Sequence, residues 1–280
     1  MTPTIRNATR DELDVILDWA AREGWNPGLD DAGPFWAADP RGYHVATVDG
    51  ELAAAVSVVK YDPAYAFLGF YMARPEYRGR GIGWALWQAA IASAGARTIG
   101  LDGVVAQQNN YRKSGFAYAH ANVRYGGDVS FAAPDDPRLV HVAPVHLPLL
   151  SAYDRALSPA PREDFLAEWL RTGESRRSIA LLRDGRVGGF GTIRACREGF
   201  KIGPLFSDTS VGADLLFRAL VADVGGGRVF LDIPEPNTEA RALCARYNLT
   251  PVFETARMYR GTDPQLPLGR IFGITTFELG

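Results

Sequence analysis

The pattern that most constrains this chain is a turn that occurs twice. Asp49-Gly50 stands between two apolar runs, 43–48 and 52–61, and Asp184-Gly185 stands between 179–182 and 187–196, about 135 positions later. An Asp-Gly pair supplies the positive φ angles of a tight hairpin, so each run-turn-run reads as two antiparallel strands. The parallel continues downstream. Residues 202–206 match the strand before position 75, 215–221 match the helix after it, and 237–249 followed by 251–259 match 109–116 followed by 118–125. Periods of 20 to 50 residues build solenoids, whereas a repeat this long means two copies of one domain. Pro, Asp and His accumulate between Pro134 and Pro148, where the periodic pattern fades, so the copies are expected at 1–138 and 145–280.

Within the first copy the order is mixed α/β. A short strand at 4–7 leads into Thr9-Arg10-Asp11-Glu12, a capping-box pattern opening a helix with Leu13, Ile16, Leu17 and Ala20 inward. An irregular stretch, 25–42, carries Trp25, Phe35 and Trp36, aromatic residues that suit a lid or pocket wall. The hairpin follows, then a largely buried strand at 66–73, a helix at 83–94 and another buried strand at 98–101.

Composition narrows the partners. The 30 Lys and Arg nearly cancel the 32 Asp and Glu, so no global field favours nucleic acid or an anionic membrane. Cys196 and Cys244 are too few for a disulfide scaffold, no Cys/His spacing marks a metal site, and His44, His120, His141 and His146 are isolated. The opening residues carry no apolar signal segment and nowhere do about 18 apolar residues run uninterrupted. The expectation is a soluble, cytoplasmic protein without a metal.

The string Arg-Pro-Glu-Tyr-Arg-Gly-Arg-Gly-Ile-Gly, 74–83, lies between a strand and a helix. Gly79, Gly81 and Gly83 leave backbone N–H groups at the helix N-terminus free to face an anion, and Arg78 and Arg80 add positive charge. A nucleotide-triphosphatase loop would need Gly-Lys-Ser/Thr, and a Rossmann loop should follow the first strand of a βαβ unit. Neither holds. The string resembles the Arg/Gln-x-x-Gly-x-Gly motif of the GNAT superfamily of N-acetyltransferases, with Arg78, Gly81 and Gly83 at its defining positions. That resemblance, covering about residues 4–125, implies tandem GNAT folds, each a mixed, mostly antiparallel sheet flanked by helices. It implies acetyl-CoA as cosubstrate, with the backbone of Tyr71, Met72 and Ala73 along the pantetheine arm and Gly79, Arg80, Gly81, Ile82, Gly83 and Trp84 around the diphosphate.

A second signature of that family is a Tyr four residues before Gly-Phe, here Tyr111 before Gly115-Phe116. By the resemblance Tyr111 sits beside the coenzyme sulfur, where a phenol of pKa about 10 can protonate a departing thiolate whose conjugate acid has a pKa of about 8.5. The family's usual Asn and Ala before this Tyr are replaced by Val104 and Gln107, which implies a shortened preceding helix. On the acceptor side, Trp25, Asp30, Asp31 and Phe35 are the candidate pocket residues. Asp30 and Asp31 are candidate proton acceptors or, alternatively, surface turn carboxylates. In the second copy the loop reads Gly-Pro-Leu-Phe-Ser-Asp-Thr-Ser-Val-Gly-Ala, 203–213, without arginine, and the Tyr position holds Cys244, so that copy is expected to be degenerate. The implied activity is N-acetyl transfer to an amine of a small molecule or peptide, the alternative being a coenzyme A-binding sensor without turnover.

Overall fold

The computed structural model describes residues 2–280. Its first half contains β1 (Thr4–Asn7), α1 (Arg10–Arg22), α2 (Ala32–Ala38), β2 (Tyr43–Val48), β3 (Glu51–Lys60), β4 (Tyr65–Ala73), α3 (Ile82–Ser93), β5 (Thr98–Val104), α4 (Gln108–Lys113) and β6 (Ala117–Val129). The second contains β7 (Leu139–His141), α5 (Leu147–Asp154), α6 (Glu163–Trp169), β8 (Arg176–Arg183), β9 (Arg186–Ala195), β10 (Phe200–Ser207), α7 (Ser210–Asp223), β11 (Gly227–Pro234), α8 (Thr238–Arg246), β12 (Thr250–Arg260) and β13 (Ile271–Gly273). Local chemistry accounts for many of the boundaries. Thr9 accepts from the Glu12 amide while Glu12 accepts from the Thr9 amide, closing the capping box of α1, which buries Leu13, Ile16, Leu17 and Ala20. Asp49 and Asp184 both adopt positive φ, as the two hairpin turns require.

The stretch 25–42, read from sequence as irregular, contains the helix α2. Pro34 is tolerated there because it sits in the first turn, where its missing N–H costs no hydrogen bond. Phe35 is fully buried and stacks on Trp169 of α6 with ring centroids 6.0 Å apart, so tertiary packing sustains a helix whose glycine and proline give no local periodicity.

Thirteen strands form one sheet in the order β1-β2-β3-β4-β5-β12-β6-β11-β10-β9-β8-β7, with β13 added beside β10. All pairings are antiparallel except β4–β5 and β10–β11. Each half contributes a mixed, mostly antiparallel portion of this sheet, flanked by helices. The two halves exchange strands. β12, from the second half, pairs with β5 of the first, and β6, from the first, pairs with β11 of the second. Each exchanged strand brings an arginine opposite a buried aspartate of the receiving strand. Arg257 faces Asp102 with contacts of 2.7 and 2.8 Å, and Arg124 faces Asp232 with contacts of 2.6 and 2.8 Å.

In both halves the parallel pair opens into a fork. β4 and β5 stay in register only from Tyr65↔Thr98 to Leu68↔Leu101. Just beyond, Phe70 and Tyr71 oppose the single residue Val56, and Phe70 takes φ 51°. Such a bulge reverses the alternation of side chains and bends the strand. Ala66 and Leu68 face the core under α3, and Phe70 and Met72 face the core under α1 and α2. The second fork forms in the same way, β10 and β11 pairing from Phe200↔Val229 to Ile202↔Leu231 before they part. It is filled by the chain's own C-terminal segment, for Gly273 and Ile271 pair with Leu205 and Phe206, and the Ile274 amide donates to the Asp232 carbonyl at 2.8 Å.

Candidate active site

The first fork opens into a cavity of about 580 Å³, and the sequence-predicted residues around it arrive from three directions. From one side comes the glycine loop. Pro75–Tyr77 form a single 3-10 turn, Gly79 and Gly81 take φ 73° and 77°, and Gly81 is the N-cap of α3. A Cβ at Gly79 or Gly81 would meet no atom within 4 Å, so these glycines are required by their left-handed backbone rather than by crowding. The first intrahelical bond runs from the Ala85 amide to the Gly81 carbonyl, which leaves the amides of Ile82, Gly83 and Trp84 without an intrahelical acceptor, and no side chain caps them. Uncapped donors at the positive end of a twelve-residue helix bind anions.

The two arginines of this loop differ in what they do. Arg78 donates through Nε to the Ala73 carbonyl at 2.8 Å and through Nη2 to Glu23 at 2.7 Å, clipping the loop to the end of β4 and to α1. Arg80 lies 5.8 Å over the Tyr77 ring, an aromatic that Arg74 approaches at 5.6 Å, and forms no ion pair among the described residues. Its charge is available to a ligand phosphate.

Tyr71, Met72 and Ala73 line the cavity along the free edge of β4. Tyr111 closes it from the α3 side. The short α4, six residues preceded by a 3-10 turn, buries the Tyr111 ring 5.6 Å from Trp87. The ring fits because β5 has Gly103 there, where a Cβ would come within 2.3 Å of it. Burial, with a smaller contribution from Tyr71, pushes the Tyr111 phenol up to about 12, so it is protonated throughout the neutral range.

Of the four acceptor-side candidates, the structure brings Trp25 to the cavity and leaves Asp30, Asp31 and Phe35 outside its lining. Asp31 is buried between Arg176 and Arg194 of the second half, at 2.8 and 3.0 Å. Burial alone would raise its carboxyl, but the two guanidiniums outweigh that and hold it below the ordinary carboxylate range. Asp30 is partly exposed and bonds Arg176 at 2.7 Å. Phe35 packs between Phe70 and Trp169. Asp31 thus joins the halves, and Phe35 supports the bulge at Phe70 from behind.

Sequence reasoning did not anticipate a further set of lining residues, Phe253, Thr255, Phe277 and Glu278, all from the second half. The first two come with the exchanged strand β12. The other two come with the C-terminal segment after it leaves the second fork. That segment passes so close to Gly69 that a Cβ there would lie 2.1 Å from the Glu278 carbonyl, and so close to Gly203 that one would lie 2.4 Å from the Thr275 carbonyl. Gly69 and Gly203 occupy matching places in the two repeats, which is the one sequence signal that a strand crosses both. Asp102 also lines the cavity, with its carboxylate engaged by Arg257. Cys244, aligned with Tyr111, is buried outside this cavity, its thiol pushed up to about 12 by burial.

Known proteins are similar to this chain along its whole length. Residues 10–116 match the Acetyltransferase (GNAT) family and residues 150–273 the Acetyltransferase (GNAT) domain. A holothin acyltransferase from Pseudoalteromonas sp. (strain SANK 73390) is 32% identical over 100% of this chain and 95% of its own length. Among solved structures, a candidate acetyltransferase from Pyrococcus horikoshii superposes with a TM-score of 0.81 at 21% identity, covering 99% of this chain and 96% of that one. A tandem GNAT protein from the clavulanic acid biosynthesis pathway superposes with a TM-score of 0.65 at 16% identity, covering 94% of this chain and all of that one.

Proposed function

Because the chain belongs to the GNAT family of acyltransferases, we propose that it carries an acetyl group from acetyl-CoA directly to an amine of a small molecule or peptide, using the first fork alone. The observation that carries this reading is that the uncapped N-terminus of α3, the free edge of β4 and the buried Tyr111 line one cavity. The residues fit the cosubstrate: an anion cradle at one end, a backbone edge for an amide-bearing arm in the middle, and a phenol where a thiolate would leave. The backbone amides of Gly79 to Trp84 and the Arg80 guanidinium hold the diphosphate. Tyr71, Met72 and Ala73 align the pantetheine arm along β4, and an amide of this edge polarises the thioester carbonyl.

Tyr111 delivers the proton to the leaving thiolate. Its pKa of about 12 exceeds that of a free thiol, about 8.5, by enough to oppose the transfer in water. Inside the cavity burial penalises the thiolate as it does the phenolate, so the two values move up together and the transfer comes closer to balance. The full-length match to an enzyme named for acylating holothin supports acyl transfer by both halves acting as one unit.

The test is a mass-spectrometric screen of amine, amino-acid and peptide pools with acetyl-CoA. Acetylated products formed by wild type and lost in Tyr111→Phe are the expected result. If acetyl-CoA raises the melting temperature while no amine in any pool is acetylated, the protein is a coenzyme sensor and the enzymatic reading is wrong.

A further inference from the structure

The cavity has two ends on opposite faces of the sheet. Tyr111 belongs to the core under α3, whereas Phe70 and Phe277 belong to the core under α1 and α2. The gap between β4 and β5 separates them, and Glu278 stands at the apex of that gap, its backbone against Gly69 one residue beyond the last β4–β5 pair. The residue lines the cavity and is 3% exposed, and its side-chain Oε1 is buried with no hydrogen-bond partner. No arginine or lysine forms an ion pair with it among the described residues.

Every other carboxylate nearby is taken. Asp102 is held by Arg257, Asp232 by Arg124, Asp31 by Arg176 and Arg194, and Glu23 by Arg78. Three cations bear on Glu278 without bonding it: Arg124 is bidentate to Asp232, Arg194 reaches Asp31 through Nε and keeps Nη1 and Nη2 without a partner, and the Lys201 ammonium donates to the Trp25 carbonyl at 3.3 Å. A buried carboxylate oxygen without a partner is costly unless a ligand supplies the missing donor. The walls around it are aromatic. Trp25, Phe70, Phe253 and Phe277 line this end, and Arg124 sits 4.9 Å over Phe277 and 5.8 Å over Phe253, fixing both rings from behind.

We propose that Glu278 is the acceptor-side catalytic residue, and that it serves an aliphatic monoamine that carries an aromatic ring within a few bonds of its nitrogen. The proposal rests on the acetyltransferase reading of the same cavity. Glu278 takes one proton from the bound ammonium, the lone pair so freed forms the C–N bond to the thioester carbonyl carbon, and the second proton that the nitrogen sheds goes to solvent. The C–S bond then breaks, its electron pair leaves on sulfur, and sulfur takes the Tyr111 proton. Glu278 returns its proton to solvent and Tyr111 regains one, so the net products are the amide and the free thiol. One unpaired carboxylate matches one ammonium, which disfavours polycationic acceptors, and the rings match a flat neighbour of that nitrogen.

The experiment uses the full chain with acetyl-CoA and four amines: tryptamine, 2-phenylethylamine, hexylamine and spermidine. Wild type is expected to turn over the two aromatic amines at least tenfold better in kcat/KM than the other two. Glu278→Gln, which keeps the side-chain volume, is expected to lose about 100-fold in kcat on tryptamine while its acetyl-CoA thermal shift stays that of wild type. Its remaining rate should climb with pH toward the amine's own pKa, about 10, because only amine already deprotonated in solution can react. Wild-type kcat in Glu278→Gln, or an equal loss at every pH, overturns the proton-accepting role. No preference for aromatic amines, or no turnover of them by a wild type that binds acetyl-CoA, overturns the acceptor class. Failure of wild type to bind acetyl-CoA instead removes the reading beneath it.

Discussion

The strand exchange makes a stability prediction that can be worked through in numbers. Arg257 and Asp102 are both at most 4% exposed at the side chain, and their two contacts of 2.7 and 2.8 Å are bidentate. Arg257→Met keeps the stem of the side chain but leaves Asp102 with Asn122, at 2.7 Å, as its only remaining side-chain donor. Removing one partner of a buried pair costs about 3–5 kcal/mol, because the other charge stays buried without compensation. That is a large share of the roughly 5–15 kcal/mol by which a domain is stable. At about 2–4 °C per kcal/mol for a chain of this size, the melting temperature should drop by roughly 6–20 °C in scanning calorimetry. Asp102→Asn added to Arg257→Met removes both charges and should recover most of the loss, giving a coupling energy above about 1.5 kcal/mol. An Arg257→Met protein melting within about 2 °C of wild type, or a double variant with purely additive losses, would refute the view that this pair holds β12 against β5.

Three other outcomes follow from the site. Gly81→Asp forces a side chain onto a φ of 77° and sets a carboxylate at the anion cradle, so the acetyl-CoA dissociation constant, read by calorimetry, should rise more than 100-fold. Gly103→Ala puts a methyl 2.3 Å from the Tyr111 ring, and the resulting displacement of the hydroxyl should lower kcat about 100-fold with little change in acetyl-CoA affinity. Since the Tyr111 phenol is raised to about 12, its acid form persists at all lower pH values, and the kcat profile should show no falling limb between pH 8 and 10; such a limb, present in wild type and absent in Tyr111→Phe, would mean that the phenol ionises in this range and would overturn the upward shift.

What could be read from the sequence was whatever depends on neighbouring residues. The capping box at Thr9, the two Asp-Gly turns and the glycine loop are each set within about a dozen positions, the repeat is the recurrence of such local patterns, and each is present in the structure. What could not be read depends on which surfaces meet. Asp31 looks like any loop acid until Arg176 and Arg194, about 150 positions away, are brought against it. The exchange of β6 and β12 is hidden for a related reason. Asp102 and Asp232 occupy matching repeat positions, as do Arg124 and Arg257, so the same Asp–Arg pairs would arise with or without exchange. The charges fix register, and a slip by one residue would turn them to the opposite face. They carry no information about which half a strand joins. Glu278 was invisible because a single carboxylate in an irregular apolar segment has no local signature, and only the approach of that segment to Gly69 brings it to the cavity.

The asymmetry between the two forks has one structural cause. A fork between parallel strands exposes unpaired backbone edges and apolar side chains, which must be covered by a ligand or by chain. In the second half residues 271–274 provide that cover, pairing with β10 and donating to the Asp232 carbonyl. The same segment, four residues on, supplies Phe277 and Glu278 to the first fork, and its end is held there by the Tyr61 hydroxyl donating to the Leu279 carbonyl at 2.8 Å. Closing one site and completing the other are therefore a single arrangement of one strand. A variant that reopened the second fork by removing this segment would also take Phe277 and Glu278 from the first cavity, so under the proposed function it should lose acetyl transfer rather than gain a second coenzyme site.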